Sequence, residues 1–323
     1  MERELKFAID VVSKACTLTK AIQLEKSSLV FEKEDRSPVT LADFSSQLLI
    51  THYLQEFFPN HSLVAEENIL ELSKGDKKII DQLSGLLSQY IPDHSLEKTV
   101  AQQERLVRQK NHNRYWVLDP VDGTKGFLRG EQFAIALALI DDGVPILGVI
   151  GCPNLNIQSQ PENIGQGIIA YGTQGKGAWI QNNDSQGKPV QLSVSKCSDA
   201  SAAKFVSSVE SGHSDNDDIL ALKAYLHNQE ADHQFDSQAK YVMVAAGKLD
   251  MFLRRPPKQN PNYREKIWDH AAGTLIVSEG GGMVTDLFGR PFDFTRGTTL
   301  TENYGVIVSN GLFHQTIVDY FNR

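Results

Sequence analysis

An α/β fold in two halves is what this sequence predicts, and three observations carry that expectation. Leu5, Ala8, Ile9, Val12, Ala15 and Cys16 recur at helical spacing, so the chain opens with an amphipathic helix. Two apolar runs, 133–140 and 144–150, flank Asp141-Asp142-Gly143, a strong hairpin signal. Beyond Gly167, strand-like runs at 167–171, 178–181 and 205–208 alternate with helix-like ones at 220–228 and 237–247, as in an α/β layer. A length of 323 residues suits two domains or one large two-part domain. The stretch 153–167, rich in Asn, Gln, Pro and Gly, reads as their connection. This places mixed helix and strand elements in two halves, 1–154 and 155–323.

The remaining elements follow in chain order. Thr40 is an N-cap for a second helix, along which Asp43, Gln47, Ile50 and Leu54 succeed one another. A short apolar run at 63–65 ends in Glu66-Glu67. Residues 68–110 read as polar helix, with Leu70, Leu72, Ile79, Ile80, Leu83, Leu86 and Leu87 as inward positions and no chemical motif. Residues 116–118 form a strand that ends in two carboxylates, Asp119 and Asp122. Pro120 is expected to stop the strand ladder there, and Gly123 to permit a turn that a side chain would hinder. Trp268-Asp269-His270-Ala271 opens a small-residue helix with an acid in its first turn, and 255–262 is a loop.

Composition narrows the function. A net charge of −8 argues against a nucleic-acid coat or an anionic membrane surface, so a polyanionic substrate would need a local cationic pocket or bound metal. Three cysteines, Cys16, Cys152 and Cys197, have neither disulfide nor zinc-site spacing and fit a reducing, cytoplasmic setting. No run reaches the ~18 apolar residues that a membrane span needs.

The chemistry concentrates at 115–124, Tyr-Trp-Val-Leu-Asp-Pro-Val-Asp-Gly-Thr. Carboxylates crowded at a strand end repel one another unless a cation lies between them, and an oxygen-only donor set suits Mg2+ better than zinc. An Asx-type turn accounts for the same residues without any metal. Four further segments bear on the choice. Asp43 lies one turn into a helix, Glu66 and Glu67 follow a strand, and Asp269 opens a helix. Asp236-Ser237-Gln238-Ala239-Lys240-Tyr241, followed by Arg254, offers hydroxyl and cationic groups. Taken singly, each has a plain structural explanation, such as a helix-terminus charge or a solvated face.

The ordered set Asp43, Glu66-Glu67, 119–124 and Trp268-Asp269 resembles the lithium-sensitive, magnesium-dependent phosphatases of the inositol monophosphatase superfamily. The stretches 122–133, 151–154, 210–214, 236–241 and 266–273 point to its 3′(2′),5′-bisphosphate nucleotidase branch. The resemblance implies a layered α/β/α/β/α sandwich, with an α+β half at 1–154 and an α/β half at 155–323. It implies that Glu66, Asp119, Asp122, Asp269 and the main-chain carbonyl of Val121 bind two or three Mg2+ ions. Asp43 and Thr124 match the pair that activates the attacking water, and the N–H groups of Gly123 and Thr124 match the cradle of the scissile phosphate. His213, Ser237, Lys240 and Arg254 match positions that hold adenosine and its 5′-phosphate.

The implied activity is removal of the 3′-phosphate of adenosine 3′,5′-bisphosphate, extending to 3′-phosphoadenylyl sulfate. The implied inhibitors are Li+ and also Na+. An inositol polyphosphate 1-phosphatase or inositol monophosphatase is the alternative, and a nucleotide-binding sensor without catalysis is a rival of another class. The Pro-rich stretch 256–261 departs from the family pattern and bears on substrate preference.

Overall fold

The computed structural model describes residues 1–25, 30–32, 38–69, 77–92, 95–108, 113–157, 167–184, 188–209, 216–256 and 260–323. Within these residues the secondary structure stacks in five layers. The first is helical. In it α1 (Glu2–Glu25) packs on α2 (Leu41–Phe57), which also contacts α3 (Lys77–Leu87) and α4 (Leu96–Arg108). A short antiparallel pair, β1 (Val30–Glu32) and β2 (Pro38–Thr40), leads into α2. The second layer is a seven-stranded sheet. Its order is β3 (Ser62–Ala65), β4 (Arg114–Asp122), β5 (Ala134–Asp141), β6 (Val144–Cys152), β7 (Ile168–Thr173), β8 (Ala178–Asn182) and β9 (Val190–Gln191). The short α5 (Thr124–Arg129) follows β4.

The third layer is α7 (Ala239–Ala245) with α8 (Ala271–Glu279). The fourth is a five-stranded sheet in the order β11 (His233–Gln234), β10 (Phe205–Ser207), β12 (Met251–Arg254), β14 (Val306–Ser309) and β13 (Met283–Thr285). α6 (Asn216–Tyr225) and α9 (His314–Phe321) cover its outer face.

Period-two alternation explains the stacking. On β5, Ile135, Leu137 and Leu139 enter the core beneath α1 and α2, whereas Ala134, Ala136, Ala138 and Ile140 face α7 and α8. On the smaller sheet, Phe205, Met251, Leu253 and Ile307 face α6 and α9, and Val206, Phe252, Val306 and Val308 face α7 and α8. Both sheets are therefore apolar on both sides, and each fully buried large side chain contributes roughly 1.5–3 kcal/mol. The small residues on the α8 side let that helix approach closely. At Gly148 of β6 a Cβ would lie 2.8 Å from the Ala272 carbonyl oxygen, which leaves room only for glycine.

The structure departs from the expected elements in four places. β4 does not stop at Leu118 but continues to Asp122, with a register shift against β5 between Asp119 and Asp122. Pro120 lacks an N–H, and the irregularity accommodates that missing ladder bond. Residues 153–167 do not separate two sheets, because β6 and β7 pair directly and the seven-stranded sheet runs on to Gln191. Asp269 lies in a 3₁₀ turn, Ile267–Asp269, that precedes α8 and not in the helix itself. The helix expected at 220–228 spans Asn216–Tyr225. Leu70, Leu72 and His213 lie outside the described residues.

Other expectations hold. Asp142 and Gly143 form a two-residue hairpin turn, both with positive φ (47° and 77°), and Asp141 pairs Val144 across it. No described helix is long and apolar enough to cross a membrane.

Candidate metal and phosphate site

The acids expected to act together come from four separate elements, and strand register brings the first two side by side. β3 runs parallel to β4 with Ala65 opposite Leu118, so Glu66 and Asp119 leave neighbouring strand ends together. The Glu66 N–H still donates to the Leu118 carbonyl at 3.2 Å. The irregularity in β4 then carries the chain from Asp119, opposite Ala136, to Asp122, opposite Ala134. Bulges of this kind re-aim side chains at a strand end.

α2 supplies Asp43. Its Oδ2 accepts from the Thr40 N–H at 2.8 Å and from Thr40 Oγ1 at 2.7 Å, completing a capping box at the helix start. Its Oδ1 remains directed at Thr124 Oγ1, 3.4 Å away; the same hydroxyl lies 3.2 Å from the Val121 carbonyl oxygen. A 3.4 Å separation is long for a hydrogen bond, and such contacts commonly tighten once substrate is bound. Gly123 turns the chain into α5 with φ 86°. A Cβ there would approach Ser237 Cβ to 3.0 Å, so conformation and packing both demand glycine.

Electrostatics ties the group together. Burial, then the charges of Glu66, Asp122, Asp269 and Asp43, push Asp119 well above the usual carboxylate range. Burial raises Asp122 too, against the opposing pull of Lys240, Arg254 and the Gln238 N–H. It likewise raises Asp269, against the pull of Arg254 and with the added repulsion of Asp122, Glu265 and Glu66. Asp119 is 1% exposed, and its Oδ1 accepts no hydrogen bond among the described residues. A buried, unpartnered carboxylate oxygen amid four other acids calls for a cation, and an all-oxygen donor set fits a hard divalent ion such as Mg2+. The Val121 carbonyl, beside Thr124, fits the same set.

A second layer of charge flanks the acids. Lys240, 7% exposed, lies on the first turn of α7 with Nζ 3.2 Å from the Phe235 carbonyl. Burial, together with repulsion from Arg254, lowers it to about 8 despite nearby Asp122, Asp236 and Asp269. Arg254 ends β12. It donates to Glu265 at 2.8 Å and lies 3.8 Å from Asp269. Ser237 adopts φ 70°, rare for a residue with a side chain, and this turn aims the next N–H, that of Gln238, at Asp122 Oδ2, 2.5 Å away.

The structure therefore brings Asp43, Glu66, Asp119, Val121, Asp122, Gly123, Thr124, Ser237, Lys240, Arg254 and Asp269 to one region. His213 lies outside the described residues.

Sequence reasoning missed several supports. Arg254 and His270 hold Glu265 down at about 2 although burial opposes it. His270 Nε2 lies 3.1 Å from Glu265, and its Nδ1 lies 2.7 Å from the Tyr241 hydroxyl. Glu265, Asp269 and His270 also bring ligand-type atoms within 4.8 Å of one another. Glu265 Oε2 is shared by Arg254 and His270, and His270 Nδ1 meets Tyr241, so Glu265 and His270 brace the arginine beside Asp269. Arg129 of α5 pairs with Asp236, tying the Thr124 helix to the Ser237 segment. No local pattern marks most of these partners, because Arg254 with Glu265, Tyr241 with His270 and Arg129 with Asp236 join residues 11, 29 and 107 positions apart.

A model of the inositol monophosphatase family matches residues 1–322. The chain is 37% identical to a 3′(2′),5′-bisphosphate nucleotidase of Schizosaccharomyces pombe, with 98% of this chain and 94% of the relative covered. It is 38% identical to 3′(2′),5′-bisphosphate nucleotidase 2 of Candida albicans, covering 98% and 96%. Among solved structures it is similar to an IMPase of Thermotoga maritima, with a TM-score of 0.66, 24% identity, and 100% and 97% of the two chains covered. The layered fold, the acid cluster at the β3 and β4 ends and these near-full-length likenesses agree: the chain belongs to the inositol monophosphatase family, with curated relatives in its bisphosphate nucleotidase branch.

Proposed function

We propose that this protein hydrolyses the 3′-phosphate of adenosine 3′,5′-bisphosphate to give AMP and phosphate, and that it also accepts 3′-phosphoadenylyl sulfate. The observation that carries this reading is the pair of cations, Lys240 and Arg254, set beside the carboxylate cluster. Two anionic groups of one ligand thus find two partners: the scissile phosphate at the acid cluster with its metal, the 5′-phosphate at the cations.

Glu66, Asp119, Asp122, Asp269 and the Val121 carbonyl would hold two or three Mg2+ ions. Bound there, such ions neutralise phosphoryl oxygens, acidify a water and stabilise the leaving 3′-oxygen. The N–H groups of Gly123 and Thr124 open α5, where first-turn amides have no partner within the helix, and they cradle the phosphate. Thr124 orients the attacking water and passes its proton toward Asp43, whose other oxygen is fixed by Thr40. Attack is direct and in line, the P–O3′ bond breaks, and the departing 3′-oxygen takes up a proton from solvent while Asp43 releases to solvent the one it received, which restores the 3′-hydroxyl of AMP. Ser237, Lys240 and Arg254, with His213, hold the nucleoside and 5′-phosphate. Li+ and Na+ compete for the same oxygen-lined site and inhibit.

Phosphate release should be compared across adenosine 3′,5′-bisphosphate, 3′-AMP, inositol 1,4-bisphosphate and inositol 1-phosphate, with Mg2+ and with chelator. The proposal requires the highest kcat/KM on the adenosine bisphosphate and none with chelator. A preference for either inositol phosphate would instead assign the chain to the inositol-directed enzymes. Tight nucleotide binding without phosphate release would make it a sensor.

A further inference from the structure

Asp43 and Gln47 lie one helical turn apart on α2, so they share a face. Gln47 is completely buried. Its side-chain amide engages one residue at both ends: Nε2 donates to the Glu67 carbonyl at 2.8 Å, and Oε1 accepts the Glu67 N–H at 3.0 Å. A side chain that satisfies both backbone groups of one residue does the work of an adjacent strand. Here it takes over where the ladder ends, because the last β3–β4 bond is the Glu66 N–H to Leu118. The peptide groups on either side of the Glu66 side chain are thus held by different elements, β4 before it and α2 after it.

From this geometry we infer that Gln47 is a positioning residue for Glu66. It fixes the backbone from which the Glu66 carboxylate reaches the acid cluster, so one helix carries both the acid facing Thr124 and the clamp on a metal ligand. The inference rests on the metal-site reading above. A leucine would fill the same space without needing partners, so what the amide adds is orientation. Losing an outer support of a metal ligand typically weakens metal binding by about 10- to 100-fold.

Mn2+ serves as the probe, its binding followed by the electron-paramagnetic-resonance signal of the free ion. Gln47→Leu should weaken Mn2+ binding about 10- to 100-fold, while KM for adenosine bisphosphate and kcat at saturating metal stay within about threefold. Glu66→Gln is the control. If Gln47→Leu binds Mn2+ like the unmodified protein while Glu66→Gln binds weakly, the positioning role is overturned and the metal site stands. If Glu66→Gln also binds normally, the metal-site reading fails first and takes this inference with it. A measurement on the unmodified protein covers the case in which Gln47→Leu does not fold. In chelator, the Glu67 amide should be protected from hydrogen exchange, since Gln47 holds it without metal; exchange at the rate of an open peptide would overturn the inference.

Discussion

Lys240 offers the sharpest test of how the nucleotide is held. Its pKa falls from 10.5 to about 8, so charging it costs about 3 kcal/mol more in the folded protein than in water. Burial is the main cause, and Arg254 adds to it. Metal ions bound beside Asp122 would act in the same direction. The ammonium is therefore held in its charged form by little margin at neutral pH, and on the proposed reading a dianionic 5′-phosphate would secure it. Well above pH 8 the free protein carries neutral Lys240, so KM for adenosine 3′,5′-bisphosphate should rise toward tenfold per pH unit. KM for 3′-AMP, which has no 5′-phosphate, should stay flat. Lys240→Met removes the charge outright. Truncating one member of a buried charge pair typically costs about 2–5 kcal/mol, so kcat/KM for the bisphosphate should fall about 30- to 5,000-fold, and that for 3′-AMP no more than a few-fold. Phosphate release at saturating Mg2+ between pH 6.5 and 9.5 reads all of this. A bisphosphate KM that is level through pH 9, with both substrates equally impaired in Lys240→Met, would refute the argument.

Three further outcomes are expected. Thr124→Val should lower kcat by about 10²- to 10⁴-fold with little change in melting temperature, because on the proposed reading its hydroxyl serves the reaction. Asp43→Ala should match that loss and in addition melt earlier, since it also removes about 1 kcal/mol of helix capping; identical melts for the two variants would contradict the dual role of Asp43. His314 provides a pH-dependent stability. Buried between Ser309 Oγ and Thr285 Oγ1, each at 2.8 Å, it is depressed from 6.5 to about 4 by burial. Between those values the unfolded chain binds the extra proton, so stability is full above about pH 6.5 and falls by about 3 kcal/mol as pH drops to 4. Denaturant melts at pH 7 and pH 4 measure it; replacing His314 with Gln should flatten that part of the profile.

What the sequence determined by itself was local in origin. Thr40 with Asp43 announced a helix start, Asp142-Gly143 a hairpin, and 116–124 a strand ending in paired acids, because capping, turn geometry and side-chain periodicity depend on near neighbours. The tertiary structure decided what lies beside what. The parallel β3–β4 register sets Glu66 against Asp119, and Pro120, expected to end the strand, instead sits in a bulge that re-aims Asp122. Direct pairing of β6 with β7 carries the first sheet past residue 154. Gln47 on Glu67, Glu265 on Arg254 and Arg129 on Asp236 join residues 20, 11 and 107 positions apart. Such contacts form only when burial removes water from polar groups and leaves a distant side chain as their partner, a condition that no local pattern in the chain encodes.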